Sequence, residues 1–191
     1  MKILKRIYII LLSAVLIIGG SGCSVKNESS ETKRPEPTLN EWQKDFLSEQ
    51  KLPTEYEELN LTQRLSVAAI YEMIMYLEDK YGVTFEYTGY VRPQILENEY
   101  MTAIPKGGNE LTDTVTVTRQ DDGTLKDDYP NIVVRPYFEQ MITDYVEDYF
   151  GSDDIRVFST VTKTSVNDLT IITEETISGN ISGRSTVFIS K

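Results

Sequence analysis

The stretch VAAIYEMIMYLEDKYGVTFEY, residues 67–87, changes its hydrophobic period in mid-course. Val67, Ile70, Ile74, Leu77 and Tyr81 recur at alternating spacings of three and four, which lines them up as one stripe on a helix; Met73, Met75 and Tyr76 widen that face. Gly82 then supplies the left-handed stop. Beyond it Val83, Phe85 and Tyr87 alternate with Thr84, Glu86 and polar Thr88, the period of a half-buried strand. A helix from about Leu61 to Tyr81 that runs directly into a strand places the chain in the α+β class, with amphipathic helices packed on an antiparallel sheet.

Working outward toward the C-terminus, strands are predicted at 100–104 and 114–118, the latter TVTVT with Val115 and Val117 on one face. Residues 105–109 (PKGGN) and Asp121-Asp122-Gly123 are turns. A second helix is announced by Arg135 and Pro136, with proline at the first helical position, and ends at Gly151. Its inward face is predicted as Phe138, Met141, Ile142, Tyr145 and Tyr149. Strands follow at 155–160, 169–173 and 185–190. YLEDKYG at 76–82 echoes YVEDYFG at 145–151, so the finer expectation is two tandem helix-then-strands units.

Toward the N-terminus, Leu52 and Pro53 begin a turn into the long helix. Ahead of it, Thr38 and Glu41 have capping-box spacing before a short helix with Leu39, Trp42, Phe46 and Leu47 on one side. The single Trp is read as a staple onto the core, since large aromatics are usually well buried. Residues 24–38 hold one aliphatic side chain among polar, charged and proline positions and cannot offset their ordering entropy. They read as a tether whose ends lie on the order of 20 Å apart.

Residues 1–22 have the three parts of an export signal: Lys2, Lys5 and Arg6, an apolar run over 7–18, and the small residues Gly19, Gly20, Ser21 and Gly22. The apolar run falls short of the roughly 20 residues that a spanning helix needs. The small residues before Cys23 resemble a lipobox, with Gly20 where leucine is usual, and Cys23 is the only cysteine in the chain. It is expected to carry a diacylglycerol, whose two acyl chains make attachment stable where one alone anchors only marginally. The expected organisation is therefore signal peptide 1–22, lipidated tether 23–38 and one globular α+β domain 39–191, on the outer face of the cytoplasmic membrane.

The chain has 30 Asp+Glu against 19 Lys+Arg, and removing the three signal cations deepens its net charge of −11 to about −14. Such acidity argues against nucleic acid and against lying flat on anionic lipid; the membrane is met through the anchor only. There is no histidine, which removes the usual general base at neutral pH and the commonest zinc ligand, and with Cys23 acylated no thiol remains. No cofactor motif is present, and Ser48 with Lys51 has the S-x-x-K spacing without its companion motifs. The densest acidic cluster, Asp121, Asp122, Asp127 and Asp128, is the weak candidate for a metal site; it lacks the ligand order of an EF-hand loop and reads first as a solvated turn.

FLSEQKLPTEY at 46–56, together with YLEDKYG at 76–82, resembles small uncharacterised lipoproteins of Gram-positive anaerobes. That resemblance implies the same signal, tether, helix and mixed sheet, and it implies no activity. Two functions follow as expectations. The first is a lipid-anchored extracytoplasmic binding or envelope-interaction module without a catalytic site, meeting a protein or glycan partner. The alternative is a carboxylate-based hydrolase or a calcium-dependent carbohydrate binder, motivated by the Asp121 to Asp128 cluster and the many tyrosines.

Overall fold

Two asparagines start the first two helices. Asn40 and Asn60 are extended at their backbones, and each accepts a hydrogen bond from a backbone N–H three residues on, while Gln43 and Gln63 return the bond to the asparagine N–H. These reciprocal boxes satisfy two otherwise orphaned donors at each helix start. Helix α1 is Glu41–Glu49 and α2 is Leu61–Tyr81. The first cap is thus Asn40 rather than Thr38, because asparagine caps at least as well as threonine and Gln43 can reach back to it. A single 3-10 turn, Tyr56–Glu58, joins the two helices.

The structure is a computed structural model that describes residues 38–151, 154–166 and 168–189. The expected signal and Cys23 lie outside them. Strands β1 (Phe85–Val91), β2 (Tyr100–Pro105), β3 (Val115–Arg119) and β4 (Leu125–Asp127) form an antiparallel meander in that order. Val67, Ile70, Met73, Ile74 and Leu77 of α2 are buried, as are Phe85, Met101, Ala103, Val115 and Val117 of the sheet. The stripe of α2 therefore covers one sheet face, and each large side chain removed from water contributes about 1.5–3 kcal/mol. Trp42 stacks on Phe46 at 5.3 Å and meets Tyr71 of α2 at 5.5 Å, so it staples α1 to the same core.

The remainder forms a second, thinner layer. Helix α3 is Tyr129–Phe150, seven residues longer at its start than the Arg135–Pro136 signal predicts. Pro130 takes the second helical position, where no N–H is needed, and Pro136 sits inside the helix at the loss of one backbone bond. Among the described residues, strands β5 (Ile155–Thr164) and β6 (Ile181–Ile189) pair only with each other, as a long two-stranded ribbon under α3. Between them lies the short helix α4, Glu174–Ile177.

Three expectations need correction here. The strand predicted at 169–173 does not form: the Asp168 carboxylate accepts from both the N–H and the hydroxyl of Thr170, and Thr173 then caps α4. Tyr145 and Tyr149 are 70 % and 72 % exposed, while Val134 and Val146 are the buried residues of α3. The tandem expectation meets unequal halves. Gly82 and Gly151 both end their helices left-handed, at φ 66° and 62°, yet a four-stranded meander follows the first and a two-stranded ribbon the second. The echo marks two similar helix ends and not a repeated topology.

Candidate functional site

Beside its buried stripe, α2 carries a second row of residues, Leu65, Ala68, Ala69 and Glu72, which faces the end of β1. Small alanines there leave the helix surface low, and with Tyr90, Val91, Arg92 and Pro93 opposite they border an open groove of about 1050 Å³. Its polar floor is a linear chain of four hydrogen-bonded side chains. Arg119, the last residue of β3, donates through both terminal nitrogens to Glu72, at 2.7 and 3.1 Å, and through Nε to Glu99. Tyr90 donates its hydroxyl to the other oxygen of Glu99. The Arg119 fork thereby ties α2, the entry of β2 and the end of β3 into one rigid unit.

The electrostatics follow from that pairing. The hydrogen bond from Arg119 holds the Glu72 carboxyl below the usual carboxylate range, against the opposing effect of burial. Burial pushes the Tyr90 hydroxyl up, and the neighbouring Glu99 carboxylate pushes it further. Both groups thus keep their ordinary charge at neutral pH. At the groove's edge Arg92 donates only to the Thr62 hydroxyl, at 3.4 Å, and joins no ion pair among the described residues. Exposed hydrocarbon lies beside the groove. Gln94 and Glu97 close a tight bridge that presents Ile95 and Leu96 fully to solvent, and Leu61 and Leu65 are 71 % and 62 % exposed.

The sequence-predicted acidic cluster is spread over separate surroundings. Asp121 and Asp122 are exposed in the turn after β3, and Asp122 accepts from the N–H and hydroxyl of Thr124. The Asp127 side chain is fully buried; Lys80, Tyr76 and Tyr81 all donate to it, at 2.6, 2.8 and 2.7 Å. Asp128 accepts from the N–H of Thr116 at 2.6 Å, and burial pushes its carboxyl up. Among the described residues no three His, Cys, Asp or Glu side chains converge as a metal ion would require.

Sequence reasoning missed the Glu72–Arg119–Glu99–Tyr90 chain. Its members come from α2, β1, β3 and the loop before β2, with Arg119 47 positions after Glu72, and no local spacing marks them. The one signal was Arg119 itself, a cation at the end of an alternating strand in an acidic chain. No family model, curated protein or solved structure matches this chain.

Proposed function

We propose that this protein is a lipid-anchored binding module, held through Cys23 at the outer face of the cytoplasmic membrane, that takes the apolar side chains of a protein partner into the groove between α2 and β1. The observation that carries the reading is the groove's construction. Leu65, Ala68, Val91 and Pro93 give it apolar walls, Ile95 and Leu96 stand exposed on the turn that begins at its Gln94, and its Glu72, Glu99 and Arg119 are already paired internally. Such a surface gains from covering exposed hydrocarbon, and its two carboxylates are already committed to Arg119 and Tyr90. The export signal and lipobox-like cysteine support the location. Among the described residues no helix is long and apolar enough to cross a membrane.

The hydrolase alternative would call on Glu72 and Glu99 as its carboxylate pair. A general acid needs a raised pKa, and Arg119 moves Glu72 the other way. The calcium alternative would call on Asp121 to Asp128, whose side chains do not converge. Calorimetric titration of the full chain with calcium is expected to give no binding at or below roughly 10 µM, the range of sensor sites, and binding there would revive that alternative.

The main experiment joins anchor and groove. Cells fed a labelled fatty acid are expected to label wild type and not Cys23→Ser, and an unlabelled wild type would sink the anchor. A photo-crosslinker at Ile95 in the anchored protein is expected to give a discrete protein adduct that Leu65→Glu removes. Failure to form any adduct would sink the groove reading.

A further inference from the structure

The β5–β6 ribbon has one face covered by α3 and one open face, of which Phe158, Thr160, Arg184 and Thr186 also border a cleft of about 730 Å³ shared with Asp128 and Glu139. Ile155, Val157, Ser159 and Val161 alternate toward α3, so Arg156, Phe158 and Thr160 point away, next to Phe188, Thr186 and Arg184 across the ladder. Phe158 and Phe188 are 60 % and 57 % exposed and meet edge to face at 5.9 Å. Two strands of ten and nine residues are marginal on their own and leave two edges open to pairing. The edge of β5 is managed, because Glu139 of α3 accepts the Ser159 N–H at 2.6 Å. Among the described residues, β6 bonds to no strand other than β5.

Charge singles out the same surface. In a chain with 30 acidic residues against 19 basic ones, β5 and β6 contain Arg156, Lys163 and Arg184 and no acid. Neither Arg156 nor Arg184 joins an ion pair among the described residues. We infer that the open face and free β6 edge of this ribbon dock an extended acidic polypeptide segment, which adds to β6 as a third strand.

Other occupants use less of the surface. A second copy laid symmetrically on this face would bring four arginines together without a counter-charge, which is repulsive. A phosphate polymer or an anionic lipid surface would engage the arginines and leave the phenyl rings and the backbone edge unused. An extended acidic peptide engages all three: carboxylate on guanidinium, apolar side chain over the ring, and main chain along the edge. The register adds a pattern. Phe188 and Arg184 lie four positions apart on one face of β6, so the incoming strand needs an apolar residue opposite the first and an acid opposite the second, also four apart. This docking needs neither the groove beside α2 nor the lipid.

The test uses the full chain in detergent micelles and a nine-residue peptide with one phenylalanine and one glutamate four positions apart in a threonine background. Saturable binding is expected, with slowed hydrogen exchange at the β6 amides and no change at β1. Arg184→Gln, a surface change that leaves the fold intact, is expected to weaken binding by roughly tenfold, and so is lysine in place of the peptide's glutamate. Raising salt should weaken binding further. The inference is overturned if the peptide does not saturate, if β6 exchange is unchanged, or if the lysine peptide binds equally. It is also overturned if inorganic polyphosphate or phosphatidylglycerol vesicles protect β6 as well as the peptide does.

Discussion

Asp127 ties the end of β4 to the last turns of α2 through three side chains. Its burial alone would raise its pKa, but Lys80, Tyr81 and Tyr76 donate to the carboxylate and outweigh that cost, so the carboxyl is held below its ordinary value. Stability from such a group is fully present above the unfolded carboxylate value near 4 and is lost as pH falls through the lower, folded value. Asp127→Asn is expected to cost about 2 kcal/mol at pH 7, less than a fully buried ion pair because Lys80 is 45 % exposed. Urea midpoints for variant and wild type should therefore differ most at neutral pH and converge below about pH 4; a gap that widened in acid would contradict the assignment. The sequence placed Asp127 in an acidic turn. Its partners lie 46 to 51 positions away, so no local spacing could show that it belongs to the interior.

Helix phase was legible for α2 and not for α3, and the difference is in the residues themselves. Along α2 the apolar residues from Val67 to Leu77 recur on one stripe, so Ile74, fully buried, could be placed at its centre. Along α3 the apolar residues come as adjacent pairs four apart: Tyr137 and Phe138, Met141 and Ile142, Tyr145 and Val146, Tyr149 and Phe150. Each pair offers two stripes one residue out of phase, and only packing on the ribbon decides that Val146 is inside and Tyr145 outside. β4 and α4, three and four residues long, are too short for any period. Ile74→Ala should cost about 2–5 kcal/mol through lost burial and a cavity. Glu72 faces solvent but holds Arg119, so Asp79, exposed and outside the ion pairs of the described residues, serves as the surface control, with Ala tolerated within about 0.5 kcal/mol. On α3, Val146→Ala should cost about 1–2 kcal/mol, against about 0.5 or less for Tyr145→Ala. Denaturation midpoints in the opposite order would mean that the α3 phase is wrong.

At the scale of the whole molecule the change from helical to strand period made the α+β class legible, but nothing in it foretold two sheets with packing centres of unequal size. The large centre draws Leu47, Met73, Ile74, Leu77, Met101 and Val117 from α1, α2 and the meander into one contiguous cluster. Val134, Val146, Val161 and Ile177 are buried outside that cluster, between α3, α4 and the ribbon. The first turns of α3 bridge the two: the Tyr129 ring meets Tyr81 at 4.6 Å and Phe85 at 5.1 Å, and Arg135 pairs with Asp113 at 2.7 Å while also donating to the Thr112 carbonyl. A layer with few buried side chains and a two-stranded sheet should open before the rest. Native-state hydrogen exchange is expected to show α2, β2 and β3 amides exchanging only through global unfolding, and β5 and β6 through a smaller opening. Val161→Ala should then speed exchange in the ribbon and leave β2 and β3 unchanged, whereas Val117→Ala should speed both, because opening the large centre also removes the surface on which Tyr129 anchors α3. If Val161→Ala speeds β2 and β3 as much as the ribbon, the two layers unfold as one cooperative unit and the division into two packing centres has no energetic meaning.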